Sequence, residues 1–223
     1  MSRLTLVRHG QAQSFGKENA LTELGEAQAE RLACWWLRHG VRFDEVCSGT
    51  LARQVRTEEI AAGTFRGAGA SWPEARRDAA WNEYDAGGVL ACGDPRLVEL
   101  QAAADTPRGF HRLLETAMGM WMAGEIVGAG IEPWPAFRER VAGALARLRS
   151  GAANRRVAVF TSGGVIGLAV QRAMQAPERL FLDVNWRIRN ASLSEFLFDR
   201  ERLTLDAFNR IGHLEEDGLW SYR

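Results

Sequence analysis

An abrupt change in hydrophobic pattern near residue 162 constrains the fold more than any other feature of this sequence. Residues 155–162, RRVAVFTS, hold an apolar run of the kind found in central strands of parallel sheets. Residues 163–175, GGVIGLAVQRAMQ, follow at once and predict a helix. A buried strand that leads directly into a helix predicts an α/β fold.

Two earlier segments also place a helix after a strand. Strands are predicted at residues 3–7 and 43–49, and helices at residues 21–40 and 50–62. Thr22 is the predicted N-cap of the first of these helices. Because βαβ units build parallel sheets, we expect a three-layer sandwich with a mostly parallel central sheet and helices on both faces.

The middle of the chain has a different pattern, which predicts helices and no strand. Two helices are predicted there, at residues 95–104 and 107–124. Met118 and Trp121 lie at helical spacing in the second helix, which favours a packed core, with a lid over a binding site as the alternative. We therefore predict a helical insertion at roughly residues 86–132.

The rest of the sequence completes what we predict to be a single domain over residues 1–223. The breaker PWP, residues 133–135, precedes another amphipathic helix. Residues 192–199 and 202–209 predict two closing strands joined by a tight turn.

Composition and charge exclude several classes of function. The 28 basic and 28 acidic side chains cancel, so the chain carries no overall field that would attract nucleic acid or an anionic membrane surface. The longest apolar stretch, residues 157–170, is shorter than the roughly 20 residues that cross a bilayer. Cys34, Cys47 and Cys92 lack CxxC spacing, which predicts neither a disulfide framework nor a zinc site and favours a cytoplasmic location.

Polar residues follow three of the predicted strands. Arg8, His9 and Gly10 come after the first, Ser48 and Gly49 lead toward Arg53 after the second, and Thr161–Gly164 end the strand near residue 160. Because α/β sheets bind ligands at the carboxyl ends of their strands, we expect these groups to share one crevice. Taken alone, a histidine in such a place is more often a hydrogen-bonded structural residue than a nucleophile.

Five segments together resemble the histidine phosphatase superfamily, in its phosphoglycerate-mutase-like branch. They are LVRHGQA (6–12), LTELGEAQA (21–29), SGTLARQVRTEEI (48–60), WNEYDAGG (81–88) and FNRIGHL (208–214). The resemblance covers nearly the whole chain apart from the insertion. It implies a phosphomonoesterase that works through a phosphohistidine and needs no cofactor.

The resemblance also assigns roles to individual residues. Arg8 and Arg53 are expected to bind the phosphoryl group through their planar guanidinium groups, and His9 to act as the nucleophile. Glu83 is expected to be the general acid and base, with a solvated loop carboxylate as the alternative. Gln11 would bind a phosphoryl oxygen or else cap its loop. For Arg53, a surface salt bridge is the weaker alternative.

One position departs from the family pattern. Most members end the strand that corresponds to residues 155–162 with a second histidine, where this chain has Ser162. A hydroxyl is shorter than an imidazole and carries no charge, so it cannot replace an imidazolium. The helix that begins at Gly163 would compensate with its N–H groups and dipole, or another histidine would reach the site. Ser162 is also a candidate N-cap for that helix.

Two classes of function follow from this departure. The first is a metal-independent phosphomonoesterase whose site consists of Arg8, His9, Arg53 and Glu83, with a phosphoglycerate-type mutase as a variant of it. The second is a protein that binds phosphate or a phosphorylated ligand and turns it over slowly or not at all. The expected partner is a small phosphorylated molecule rather than nucleic acid or a membrane. The sequence leaves open whether the chain forms a homodimer.

Overall fold

The computed structural model describes residues 1–13, 20–128, 130–216 and 218–222. Within these ranges the strands are β1 Ser2–Arg8, β2 Glu45–Ser48, β3 Ala75–Arg77, β4 Arg156–Thr161, β5 Leu193–Phe198 and β6 Leu203–Arg210. The helices are α1 Glu23–Arg38, α2 Ala52–Gly67, α3 Ala86–Leu90, α4 Pro95–Ala102, α5 Pro107–Met122, α6 Trp134–Arg149, α7 Gly163–Ala173, α8 Leu180–Asn185 and α9 Gly212–Glu215, with a 3₁₀ turn at Ala79–Trp81.

The strands form a sheet in the order β3-β2-β4-β1-β5-β6. The first four strands in that order are parallel, whereas β5 and β6 are antiparallel to their neighbours. The predicted α/β class with a mostly parallel sheet is therefore confirmed. The four parallel strands have their carboxyl ends at the same edge of the sheet, which is where ligands bind in this class of fold.

The centre of the sheet is buried on both faces. Phe160 of β4 packs edge-on against Trp36 of α1, with 6.2 Å between ring centroids, in a cluster that also contains Phe65 of α2. Val159, whose side chain points to the opposite face because side chains alternate along a strand, is fully buried as well. Strand β4 is thus apolar on both sides, which explains why its sequence lacks the alternation of a half-exposed strand.

Several elements differ from the sequence-based predictions, and the short helices α3, α8 and α9 were not predicted. Helix α2 continues to Gly67 instead of ending at residue 62, because Phe65 is drawn into the core beside α1. Strand β3 was not expected; it has only three residues and pairs with β2 at the sheet edge. Helix α6 begins at Trp134, inside the PWP sequence, since a proline is tolerated in the first turn of a helix.

The chain divides into two compact units, of which the first contains the sheet and consists of Met1–Glu83 and Gly143–Arg223. The second unit is Tyr84–Ala142. Its interior contains Met118 and Trp121, both almost fully buried, and Trp121 stacks on Tyr84 with 4.9 Å between ring centroids. The helix containing Met118 and Trp121 therefore contributes a core to its own unit. Among the described residues, no helix combines the length and apolarity needed to cross a bilayer.

Two glycines allow the loop after β1 to contact the first turn of α1. A Cβ at Gly10 would overlap the backbone carbonyl of Gly25, and a Cβ at Gly25 would overlap the carbonyl oxygen of Gln11. The helix start is fixed there because Thr22, the predicted N-cap, accepts a hydrogen bond from the Gly25 amide at 3.1 Å. The backbone at residues 10 and 25 thus leaves no space for a side chain at either position.

We expect Gly10→Ala to lower the free energy of unfolding by about 3 kcal/mol, because the obstructing atom belongs to backbone that cannot rotate away. Gly63→Ala is the matched control: it lies inside α2 with nothing within 4 Å of the added Cβ, and should raise stability by about 0.5–1 kcal/mol. Urea unfolding followed by circular dichroism measures both changes. Equal effects of the two substitutions would contradict the close-approach explanation.

Candidate active site

The pairing of β1 with β4 brings two of the predicted strand ends together. Arg8 lies opposite Thr161 in the parallel register, and the amide of His9 donates to the carbonyl of Thr161 at 2.9 Å. On the other side of β4, the amide of Gly49 donates to the carbonyl of Phe160 at 3.0 Å. The three polar segments that follow β1, β2 and β4 therefore meet at one edge of the sheet.

Two hydrogen bonds define the state of the His9 ring. Its Nδ1 lies 2.7 Å from the carbonyl oxygen of Gly10, and its Nε2 lies 3.0 Å from Nε of Arg53. A carbonyl oxygen only accepts and a guanidinium only donates, so Nδ1 carries the hydrogen and Nε2 presents its lone pair. The sequence predicted His9 and Arg53 in one site, and the structure brings them into direct contact.

The surroundings of His9 favour the neutral ring. Burial lowers the pKa of His9 well below its usual 6.5, and the positive charges of Arg53 and then Arg8 lower it further, against a smaller opposing effect of the Gly10 carbonyl. The side chain is only 6% exposed. The lone pair on Nε2 is therefore available at neutral pH.

Two guanidinium groups give the site its positive charge. Arg8 is buried, and its Nη1 donates to the carbonyl of Ile188, which fixes the direction of the side chain. Burial lowers the pKa of Arg53, against the opposing effect of the negative charge of Glu83. Two cations beside a neutral imidazole form a site suited to an anion, and planar guanidinium groups match the oxygens of a phosphoryl group.

Glu83 lies at the beginning of α7. Both of its carboxylate oxygens accept from the amide of Gly164, at 3.1 and 3.0 Å. A Cβ at Gly163 would lie 3.8 Å from Oε2 of Glu83 and 3.9 Å from Nε of Arg8, so both side chains flank this glycine. The N-terminus of α7, which the sequence analysis predicted as a binding site for phosphate, thus binds the candidate acid in this structure.

Ser162 is fully buried, and its hydroxyl is engaged by a neighbouring amide. Nε2 of Gln54 donates to Oγ of Ser162 at 2.8 Å and to the carbonyl of Trp81 at 3.1 Å. The Thr161 hydroxyl donates to the same Trp81 carbonyl at 2.7 Å. Ser162 occupies the N-cap position of α7, but its side chain makes no capping hydrogen bond. Its predicted contact with substrate stays a prediction.

Gln11 lies near the others but is bound to α1. Its side-chain oxygen accepts from the hydroxyl of Thr22 at 2.9 Å, and its backbone N–H donates to the side-chain oxygen of Gln28 at 2.8 Å. These contacts belong to the loop-capping alternative. A contact of Gln11 with a phosphoryl oxygen stays a prediction.

Sequence reasoning missed Gln54, although a signal was present. Gln54 is the third residue of α2, and its Oε1 accepts from the Leu51 amide at 3.3 Å, the geometry of half a capping box. Its Nε2 connects α2 to Trp81, two residues before Glu83. Gln54 therefore helps to place the candidate acid relative to Arg53.

The other histidines bind elsewhere. The Nδ1 of His39, on the exposed end of α1, lies 2.8 Å from the Trp35 carbonyl. His213 is buried, and its ring centroid lies 6.3 Å from that of Trp35. His111 belongs to α5 in the second unit. Across residues 1–13, 20–128, 130–216 and 218–222, no three or more His, Cys, Asp or Glu side chains group in a way that would hold a metal ion.

The fold and the site together define a class: an α/β protein with a neutral histidine and two arginines at the carboxyl ends of its parallel strands. The family model "Histidine phosphatase superfamily (branch 1)" matches residues 4–211. The chain therefore belongs to the histidine phosphatase superfamily, branch 1. A comparison with curated proteins finds no match.

Solved structures with the same fold are distant in sequence. A phosphoserine phosphatase from Entamoeba histolytica, solved with phosphoserine, has a TM-score of 0.67 and 18% identity and covers 96% of this chain and 100% of its own. A phosphoglycerate mutase from Bacillus anthracis has a TM-score of 0.69 and 14% identity, covering 97% and 96%. An alpha-ribazole phosphatase from Shigella flexneri has a TM-score of 0.63 and 22% identity, covering 93% and 96%. At these identities the likeness concerns the fold alone.

We expect stability to fall as the pH is lowered. The pKa of His213 is lowered to about 4, chiefly by burial, and that of His9 is lowered as well. Below about pH 6.5 the unfolded chain therefore binds protons that the folded chain does not, and each such histidine costs up to about 1.4 kcal/mol per pH unit.

Urea unfolding between pH 7.5 and pH 4.5 tests this expectation. His213→Leu removes one of the two titrating groups, so its stability should depend less steeply on pH than that of the wild type. Parallel curves for the two proteins would show that His213 does not titrate as its burial requires.

Proposed function

We propose that the chain is a phosphomonoesterase that forms a phosphohistidine at His9 and requires no metal ion. The observation that carries the proposal is the state of the His9 ring, with Nδ1 on the Gly10 carbonyl and the Nε2 lone pair beside Arg53. A neutral imidazole among buried cations combines a nucleophile with a binding site for the group that it attacks.

In the first step, the Nε2 lone pair of His9 attacks phosphorus and the bond from phosphorus to the ester oxygen breaks. Glu83 in its acid form gives its proton to the departing oxygen, which leaves as an alcohol. Arg8 and Arg53 neutralise the charge of the transferring phosphoryl oxygens. For this, Arg53 replaces its hydrogen bond to His9 Nε2 by one to a phosphoryl oxygen. The ring keeps its Nδ1 hydrogen on Gly10 and spreads the new positive charge toward that carbonyl.

In the second step, water attacks phosphorus and the nitrogen–phosphorus bond breaks. The Glu83 carboxylate takes a proton from the water, so that inorganic phosphate, neutral His9 and the acid form of Glu83 are restored. The two hydrogen bonds from Gly164 keep Glu83 at the edge of the site throughout. A mutase would use the same first step and return the phosphoryl group to a second hydroxyl.

The names of the structural relatives are compatible with this proposal, since they include phosphatases and a phosphoglycerate mutase. We extend the proposal to a small phosphorylated substrate and a cytoplasmic location. Nucleic acid is not proposed as a partner, because the net charge is zero.

Trapping experiments test the intermediate. Acid quenching during turnover of an aryl phosphate should leave an acid-labile phosphoryl group on His9, detected by mass spectrometry, and dialysis against EDTA should leave the rate unchanged. His9→Ala should abolish the label and retain binding of inorganic phosphate. Arg8→Ala should weaken that binding by several kcal/mol, because hydrogen bonds to charged groups contribute about 1.5–3 kcal/mol each.

His39→Ala serves as the matched control, since His39 is exposed at the end of α1. It should change neither labelling nor affinity. A label on another residue, or activity that EDTA removes and Mg²⁺ restores, would overturn the proposed mechanism.

A second candidate function rests on Ser162. Its hydroxyl is buried and accepts from Gln54, so Ser162 offers no charged donor to a transferring phosphoryl group, where the family resemblance predicts a second histidine. Weaker stabilisation of the transition state would leave a protein that binds phosphorylated ligands without processing them.

Substitution at Ser162 separates the two candidates. In an enzyme, Ser162→Ala should reduce turnover about tenfold or less, because one neutral hydrogen bond contributes about 0.5–1.5 kcal/mol. In a binding protein, the wild type should bind vanadate and show negligible turnover. The double variant Ser162→His with Gln54→Ala, which makes room for the ring, should then gain hydrolysis. Steady-state kinetics across a panel of phosphomonoesters distinguishes these results.

A further inference from the structure

A single peptide group beside His9 is hydrogen-bonded at both of its ends. The carbonyl of Gly10 and the N–H of Gln11 belong to the same peptide bond, so they lie in one plane and point in opposite directions. The carbonyl oxygen lies 2.7 Å from Nδ1 of His9, and the N–H donates to Oε1 of Gln28 at 2.8 Å. A rotation of this plane would therefore change both hydrogen bonds at once.

The side chain of Gln28 is fully buried in α1, and its contacts define its orientation. Its Nε2 donates to the carbonyl of Leu219 at 2.7 Å and to the hydroxyl of Ser221 at 2.9 Å. The Leu219 carbonyl can only accept and the Gln11 N–H can only donate. The hydrogen-bond network therefore assigns Oε1 of Gln28 to Gln11 and Nε2 to the C-terminal residues.

The C-terminal segment that binds Gln28, residues 219–222, is fixed in turn. The carbonyl of Ser221 accepts from the backbone amide of Asn190 at 2.9 Å, and the Ser221 hydroxyl donates to Oδ1 of Asn190 at 3.0 Å. Asn190 lies before β5 and not on α1. The segment thus supplies Gln28 with acceptors whose positions do not depend on α1.

We propose that Gln28 is a positioning residue for His9, because it fixes the peptide group whose carbonyl binds Nδ1 of the ring. Through this carbonyl it helps to keep the hydrogen on Nδ1 and the lone pair on Nε2. The bond from the Gln11 N–H to Gln28 also strengthens the carbonyl as an acceptor, since hydrogen bonds in a chain polarise one another. The kinetic consequence rests on the proposed function, whereas the hydrogen bonds exist independently of turnover.

Two substitutions of Gln28 separate positioning from packing. Gln28→Met retains an unbranched side chain of the same length and removes the carbonyl that accepts from Gln11. Gln28→Glu retains that acceptor, and in its acid form it also has a hydroxyl that can donate to Leu219. Burial raises the pKa of a carboxyl group, so both variants are compared at pH 6, where the acid form is favoured.

We expect kcat to fall about tenfold in Gln28→Met, because the ring of His9 then adopts orientations and tautomers that cannot attack phosphorus. In Gln28→Glu, kcat should stay within about threefold of the wild type. Binding of inorganic phosphate depends on the guanidinium groups of Arg8 and Arg53, so its affinity should change about twofold or less in both variants. Equal losses of kcat and of phosphate affinity in Gln28→Met, or equal kcat values for the two variants, would overturn the inference.

Gln101→Met is the matched control. The side chain of Gln101 also donates to a backbone carbonyl, that of Leu90 at 2.9 Å, but it lies on α4 in the second unit. Its replacement should leave kcat unchanged. Should Gln28→Met fail to fold, Gln28→Asn takes its place: its amide is one methylene too short to bind Gln11 and the C-terminal segment together, so the same loss of kcat is expected.

Hydrogen exchange tests the positioning of His9 without any turnover. By NMR, the hydrogen on Nδ1 of His9 should exchange with water at least about tenfold faster in Gln28→Met than in the wild type, and at nearly the wild-type rate in Gln28→Glu and Gln101→Met. An unchanged rate in Gln28→Met would overturn the inference. If the wild type proves inactive on every phosphomonoester, the proposed function fails while this measurement still decides the role of Gln28.

Discussion

The parallel pairing of β1 with β4 is the interaction on which the site depends. It places Arg8 opposite Thr161, so that β1 and β4 end side by side. The bond from the His9 amide to Thr161 extends that ladder by one step into the site. A shift of one residue in this register would move every side chain of β1 to the other face and separate His9 from Arg53.

Charge in the site is arranged around one neutral group. His9 lies beside Arg53 and near the charge of Arg8, and burial makes protonation of its ring costly. The same burial strengthens the attraction of the two guanidinium groups for an anion, because the surrounding dielectric is lower than that of water. A protonated His9 would add a third positive charge but would no longer have a lone pair on Nε2. The arrangement therefore gives up one cation and retains a nucleophile.

The sequence predicted the parts of this fold that follow from local pattern. The strand β4 and the helix after it were evident because one is continuously apolar and the other begins at two glycines, and the N-cap Thr22 was placed by its residue type. The length of α2 was underestimated, since the burial of Phe65 depends on contacts with α1 that are distant in sequence. For the site, the meeting of His9 and Arg53 followed from strand ends, whereas the bond from Gly164 to Glu83 depends on tertiary packing.

Ser162, at the position where the family resemblance predicts a second histidine, has a hydrogen-bond partner in this structure. The side-chain amide of Gln54 donates both to the hydroxyl of Ser162 and to the carbonyl of Trp81. The serine therefore belongs to a buried network that also fixes the segment leading to Glu83. A lone small residue at this position would leave the Gln54 amide without an acceptor, which costs more than the hydrogen bond itself contributes. Because Gln54 donates to Ser162, replacing the serine alone by histidine would bury a ring against the Gln54 amide and remove the hydroxyl that accepts its hydrogen bond.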